Sequence, residues 1–101
     1  MLNLDQRYIN MILDILRTYA PYDTVWAYGS RIKDKAHSGS DLDLVLISTD
    51  KDASQKIVRL REAFSESNLP ILIDILDWNI IPETFKEEIN KQHEVLQEAS
   101  G

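Results

Sequence analysis

The sequence predicts an α/β (α+β) domain in which three strands form a sheet flanked by helices. Two observations carry that reading: stretches of helical hydrophobic periodicity alternate along the chain with short β-prone runs. A third bounds it: the chain has 101 residues, the size of one domain, so residues 1–101 are expected to share one core.

Residues 4–19 place Ile9, Ile12, Leu13 and Leu16 on one helical face, with Asn3 as the expected cap, Gln6 three residues on, and Pro21 as the stop. Residues 24–28 (Thr-Val-Trp-Ala-Tyr) read as a strand after a Pro-Tyr-Asp turn. Gly29-Ser30 interrupts the pattern, and the polar, basic segment 31–40 reads as a loop or one short helical turn. Residues 41–48 form the second strand. Residues 53–67 form a helix on the stripe Ile57, Leu60 and Phe64, closed by Asn68-Leu69-Pro70. The run Ile71 to Leu76 is the third strand, and its near-continuous apolar character predicts burial on both faces. Pro82 suits the first turn of a last helix running to about Gln97, with Phe85, Ile89 and Leu96 inward. The expected order is thus helix, strand, loop or short helix, strand, helix, strand, helix.

Composition narrows the function. With no cysteine, disulfides and thiolate metal sites are excluded. No apolar run reaches the roughly 20 residues that span a bilayer, and the N-terminus lacks the pattern of a secretion signal, so no membrane association and a cytoplasmic location are expected. Seventeen acidic residues against eleven basic ones give a net charge of −6, which argues against stable DNA or RNA binding. A nucleotide remains compatible, because a divalent cation can screen its phosphates from an acidic site.

Three features stand out. Asp41 and Asp43 alternate with Leu42 and Leu44, so both carboxylates share one strand face about 7 Å apart and can converge on a cation; a solvated strand start reads the same way. Asp74 interrupts the apolar run of the third strand, where a charge needs a metal, a basic partner or water. Gly29-Ser30 lets the backbone approach phosphate oxygens closely, and Arg31 is the nearest cation of the following segment, although a Gly-Ser pair is also a common turn. Together these parts suit in-line attack on a nucleotide α-phosphate.

With ten residues separating Gly29-Ser30 from Asp41-Leu42-Asp43, and Asp74 following in an apolar strand, the chain resembles the minimal nucleotidyltransferase family of the polymerase-beta-like superfamily. The resemblance covers essentially the whole chain. It implies the nucleotidyltransferase fold with a mixed three-stranded sheet. It also implies one or two Mg2+ ions held by Asp41, Asp43 and Asp74, with Asp74 activating the attacking hydroxyl. Gly29 and Ser30 would hold the terminal phosphates of ATP or another nucleoside triphosphate, with Arg31 and Ser40 assisting. Such proteins commonly serve as antitoxins paired with a HEPN-type helical toxin, and some add AMP to a tyrosine of that toxin. The expected function is Mg2+-dependent transfer of a nucleoside monophosphate, AMP from ATP, to a hydroxyl acceptor, for which a tyrosine of such a partner is one candidate. The alternative is a non-catalytic nucleotide- or partner-binding antitoxin module, in which acidic faces such as Glu83, Glu87 and Glu88 meet a basic partner. Homo- or hetero-oligomers are compatible with both.

Other residues read more simply. Trp26 is expected in the core, while Tyr28 and Trp78 suit either the core or stacking on a base. His37, in the polar loop, and His93, on the last helix, lack the spaced companions of a metal site. Asp77 reads as a turn residue.

Overall fold

The computed structural model describes residues 2, 4–29 and 41–99. Their elements run α1 (Gln6–Tyr19), β1 (Thr24–Tyr28), β2 (Leu42–Ile47), α2 (Ala53–Glu66), β3 (Ile73–Asp77), a 3-10 turn (Trp78–Ile80), α3 (Glu83–Lys91) and β4 (Glu94–Gln97). The sheet order is β3-β2-β1-β4. β1 pairs antiparallel with β2 and β4, whereas β2 and β3 are parallel, so the sheet is mixed. A parallel pair needs a crossover, and α2 supplies it.

Side-chain alternation divides the sheet. Leu42, Leu44 and Leu46 are fully buried, in register with Val25 and Ala27 on one side and Ile75 on the other. They join Ile12 and Leu16 of α1 and Ile57, Leu60 and Phe64 of α2 in one cluster. Each such Leu or Ile withdrawn from water contributes roughly 1.5–3 kcal/mol. The opposite face carries Trp26, Tyr28, Asp43 and Asp74. There the Tyr28 ring meets Phe85 of α3 edge-on at 5.5 Å.

Several expectations change. α1 starts at Gln6 and not at residue 4: Asp5 is its cap, its carboxylate accepting from the Arg7 amide at 2.9 Å, while Asn3 lies outside the described residues. The last helix stops at Lys91, because Gln92 turns extended (φ −150°). The His93 ring then folds back, its Nδ1 2.8 Å from the Ile89 carbonyl. Leu96 therefore lies on a fourth strand, and the sheet has four strands where three were expected. Gln97 anchors that strand by donating from Nε2 to the Ala20 and Asp23 carbonyls, both at 2.7 Å.

The third strand differs too. β3 sits at a sheet edge and is not buried on both faces; Leu72, just before it, is 73% exposed. Arg61 of α2 donates to the Ile75 carbonyl at 2.9 Å, occupying one backbone acceptor of this edge strand. Asp77 ends β3 and caps the 3-10 turn, accepting from the Asn79 amide at 2.9 Å. Trp26 is half-buried and not fully in the core. His93 stacks on it (3.8 Å, 12°) and Trp78 meets it edge-on at 5.5 Å.

Two polar ties fix the strand ends. Lys56 of α2 donates to the buried Asp23 carboxylate at 2.8 Å and also bonds Asp50. One α2 side chain thus clamps the start of β1 to the loop after β2.

Candidate active site

The parallel register of β2 and β3 sets Asp43 directly against Asp74. Neighbouring strands lie about 4.8 Å apart and paired residues project to the same face, so the two carboxylates are neighbours across the ladder. On its other side Asp43 pairs with Tyr28, the last residue of β1. One row across three strands therefore reads Tyr28, Asp43, Asp74. Asp41 lies just ahead of β2 and is exposed, as is Asp74, while Asp43 between them is half-buried.

This crowding shows in the electrostatics. The Asp43 carboxyl is held above the ordinary carboxylate range, first by burial and then by the charges of Asp74 and Asp41. The Tyr28 phenol is pushed up by burial, then by Asp43 and Asp74, which keeps it neutral. No ion pair to Asp41, Asp43 or Asp74 forms among the described residues. An acidic group carrying unneutralised repulsion and hard oxygen donors suits a divalent cation such as Mg2+. Among the described residues, no three His, Cys, Asp or Glu side chains are already gathered closely enough to hold a metal ion.

Gly29 follows Tyr28 with φ +87°, a conformation that disfavours any residue with a side chain. A Cβ built there would lie 2.6 Å from Asp43 Oδ2. Glycine at this position thus keeps the space over the Asp43 carboxylate open. A cavity of 270 Å3 opens from that point, walled by Tyr28, Phe85 and Ile89 and rimmed by Glu88 and Gln92 of the α3 end. A larger cavity of 340 Å3 lies between α2 and the 3-10 turn, and none of the three aspartates borders it.

Of the residues singled out in the sequence, the structure brings Gly29, Asp43 and Asp74 together, with Asp41 close enough for its charge to act on Asp43. Ser30, Arg31, Ser40 and His37 lie outside the described residues. Tyr28 packs against Phe85 with only 8% of its surface exposed, so it forms a wall and not a stacking platform. Glu88 as a site residue, and Gln92 altogether, escaped the sequence reading. Their signal was there: residues 85, 88, 89 and 92 follow the i, i+3, i+4, i+7 rule, so Glu88 and Gln92 share a face with Phe85 and Ile89.

A fold of this topology with paired strand aspartates beside a left-handed glycine defines a class. The family model described as "Polymerase beta, Nucleotidyltransferase" matches residues 10–100, and the chain belongs to that family of transferases. It is 44% identical over 97 residues to the "Probable protein adenylyltransferase MntA" of Haemophilus influenzae, spanning 96% of this chain and 85% of that protein. Among solved structures, a toxin-antitoxin crystallised with AMP-PNP matches with a TM-score of 0.75 at 20% identity, covering 91% of this chain and 74% of that one. A complex of tri-AMPylated Shewanella oneidensis HEPN toxin with MNT antitoxin matches with a TM-score of 0.62 at 18% identity, covering 95% and 74%. These structural likenesses carry the fold; the sequence matches carry the family. Nucleotidyl transfer is the chemistry of that family, and no described helix is long and apolar enough to cross a membrane.

Proposed function

We propose that this domain transfers AMP from ATP to a tyrosine hydroxyl of a HEPN-type helical partner, with Mg2+ held by Asp41, Asp43 and Asp74. The observation that carries the reading is the register pairing of Asp43 with Asp74 beside the open face left by Gly29. The likeness to an adenylyltransferase and to antitoxins of HEPN toxins supports the choice of nucleotide and partner. Composition and the lack of a membrane-spanning helix among the described residues support a cytoplasmic setting.

The reaction balances simply. The acceptor oxygen bonds to the α-phosphorus, the α–β phosphoanhydride bond breaks, and pyrophosphate leaves. Bound magnesium supplies charge neutralisation for the triphosphate. Asp74, exposed on the edge strand, takes the hydroxyl proton and passes it to water. Asp43, enclosed between Asp74 and Tyr28, would hold the cation together with Asp41 and Asp74. Gly29 admits the phosphates, with Ser30, Arg31 and Ser40 contributing donors.

The test is co-expression with a HEPN-type protein from the same source. Peptide mass spectrometry should find an adenylylated tyrosine on the partner with wild type and none with Asp43→Asn. Neutralisation of the partner by Asp43→Asn without any modification would instead make this a masking antitoxin.

A further inference from the structure

The cavity beside Asp43 has a composition of its own. Three of its walls are apolar or aromatic (Tyr28, Phe85, Ile89), and its rim carries one carboxylate, Glu88, and one amide, Gln92. At 270 Å3 it falls just below the roughly 300–1,000 Å3 of whole small-molecule sites, the size of part of a ligand. Gly29 and Asp43 also border it, on the side of the aspartate row, and Asp74 does not. A group reacting on the Asp74 side of Asp43 therefore leaves this cavity free on the Asp43 and Tyr28 side.

We propose that the cavity between β1 and α3 receives the nucleoside of the donor nucleotide, and that Glu88 recognises its ribose by accepting a hydrogen bond from the 2′-hydroxyl. The inference rests on the reading of the site as a nucleotidyltransferase centre and adds how the donor is chosen. An acidic rim disfavours phosphate, so the part of the nucleotide that enters is the uncharged part. A carboxylate accepts and cannot donate, which matches a sugar hydroxyl. The Phe85 ring and the Ile89 side chain give a flat base an apolar surface, and Gln92 offers both a donor and an acceptor to its edge. Glu88 and Gln92 are exposed and one helical turn apart, so either can be changed without opening the core.

The test is calorimetric titration, with Mg2+ present, of wild type and Glu88→Ala against ATP, 2′-deoxy-ATP and inorganic tripolyphosphate. Glu88→Ala should bind ATP about tenfold more weakly, the scale of one hydrogen bond to a charged group, while its binding of the other two is not weakened. Removing a negative charge by itself strengthens anion binding, so a loss confined to the ribose ligand cannot arise from charge alone. An equal change for ATP and 2′-deoxy-ATP, or none for either, overturns the inference while tripolyphosphate binding leaves the functional reading intact. If wild type binds neither ATP nor tripolyphosphate, the functional reading falls and this inference with it.

Discussion

Gly29, one residue past the Tyr28–Asp43 pair of the β1–β2 ladder, lies so close to Asp43 that a methyl group on the glycine would sit 2.6 Å from Asp43 Oδ2. Contact of that kind forces either the backbone or the carboxylate to move. Gly29 also holds φ +87°, so an added side chain carries a conformational cost as well. Gly29→Ala should lower stability by about 1–3 kcal/mol and cut nucleotidyl transfer by at least about tenfold. Urea unfolding and a transfer assay at equal folded concentration check the two effects separately. Full activity in this variant would show that the Asp43 position tolerates displacement.

Asp43 sets up a conflict between stability and function. Its folded-state pKa lies above the unfolded value, through burial first and the neighbouring Asp74 and Asp41 charges next. The native state therefore binds more protons than the unfolded chain between the ordinary Asp value of about 3.9 and the raised folded value. In that window stability falls as pH rises, and above it the full penalty remains. Asp43→Asn should remove this fall and, without divalent cation at neutral pH, raise Tm by about 4 °C while abolishing transfer. Thermal melts in chelator across the acidic range check the sign; a lower Tm would mean the carboxylate is already stabilised within the protein.

Lys56 joins the buried Asp23 to Asp50 far from the aspartate row. Lys56→Met leaves Asp23 without its cation in a site where only 5% of the residue is exposed. The half-open position of Lys56 tempers the loss, so about 1–3 kcal/mol of stability should go. Transfer per folded molecule should not change, which denaturant unfolding and kinetics together can show.

Gln97 tests the fourth strand. Its amide nitrogen serves two carbonyls in the α1–β1 connection, Ala20 and Asp23. Gln97→Ala should cost about 1–3 kcal/mol and speed amide hydrogen exchange in β4 before the rest of the sheet. Uniform acceleration throughout would mean that β4 opens only with global unfolding.

Much of this fold was legible because its signals are local. The stripes Ile12–Leu16 and Ile57–Leu60–Phe64, and the alternation of Leu42, Leu44 and Leu46 with Asp43, specify their elements without reference to the rest of the chain. What was not legible depends on partners distant in sequence. Ile89 and Leu96 are spaced as for one helix face, and only the pairing of β4 with the distant β1, tied down by Gln97 reaching Ala20 and Asp23, makes the second of them a strand residue. An apolar run such as Ile71–Leu76 suggests a central strand, yet nothing within it tells whether a neighbour covers its second edge. The aspartates were conspicuous because charge in an apolar strand is unusual. Glu88 and Gln92 were not, because polar residues on an exposed helix are ordinary until Phe85 and Ile89 show which way that face points.

The most direct test of the central claim uses two labels. The domain, its partner and magnesium are incubated in parallel with ATP labelled at the α-phosphate and at the γ-phosphate. The account predicts that the partner retains label from the α position only, and that Asp43→Asn removes it. Label retained from the γ position, or equal α-labelling by Asp43→Asn, would contradict nucleotidyl transfer at the Asp43–Asp74 row.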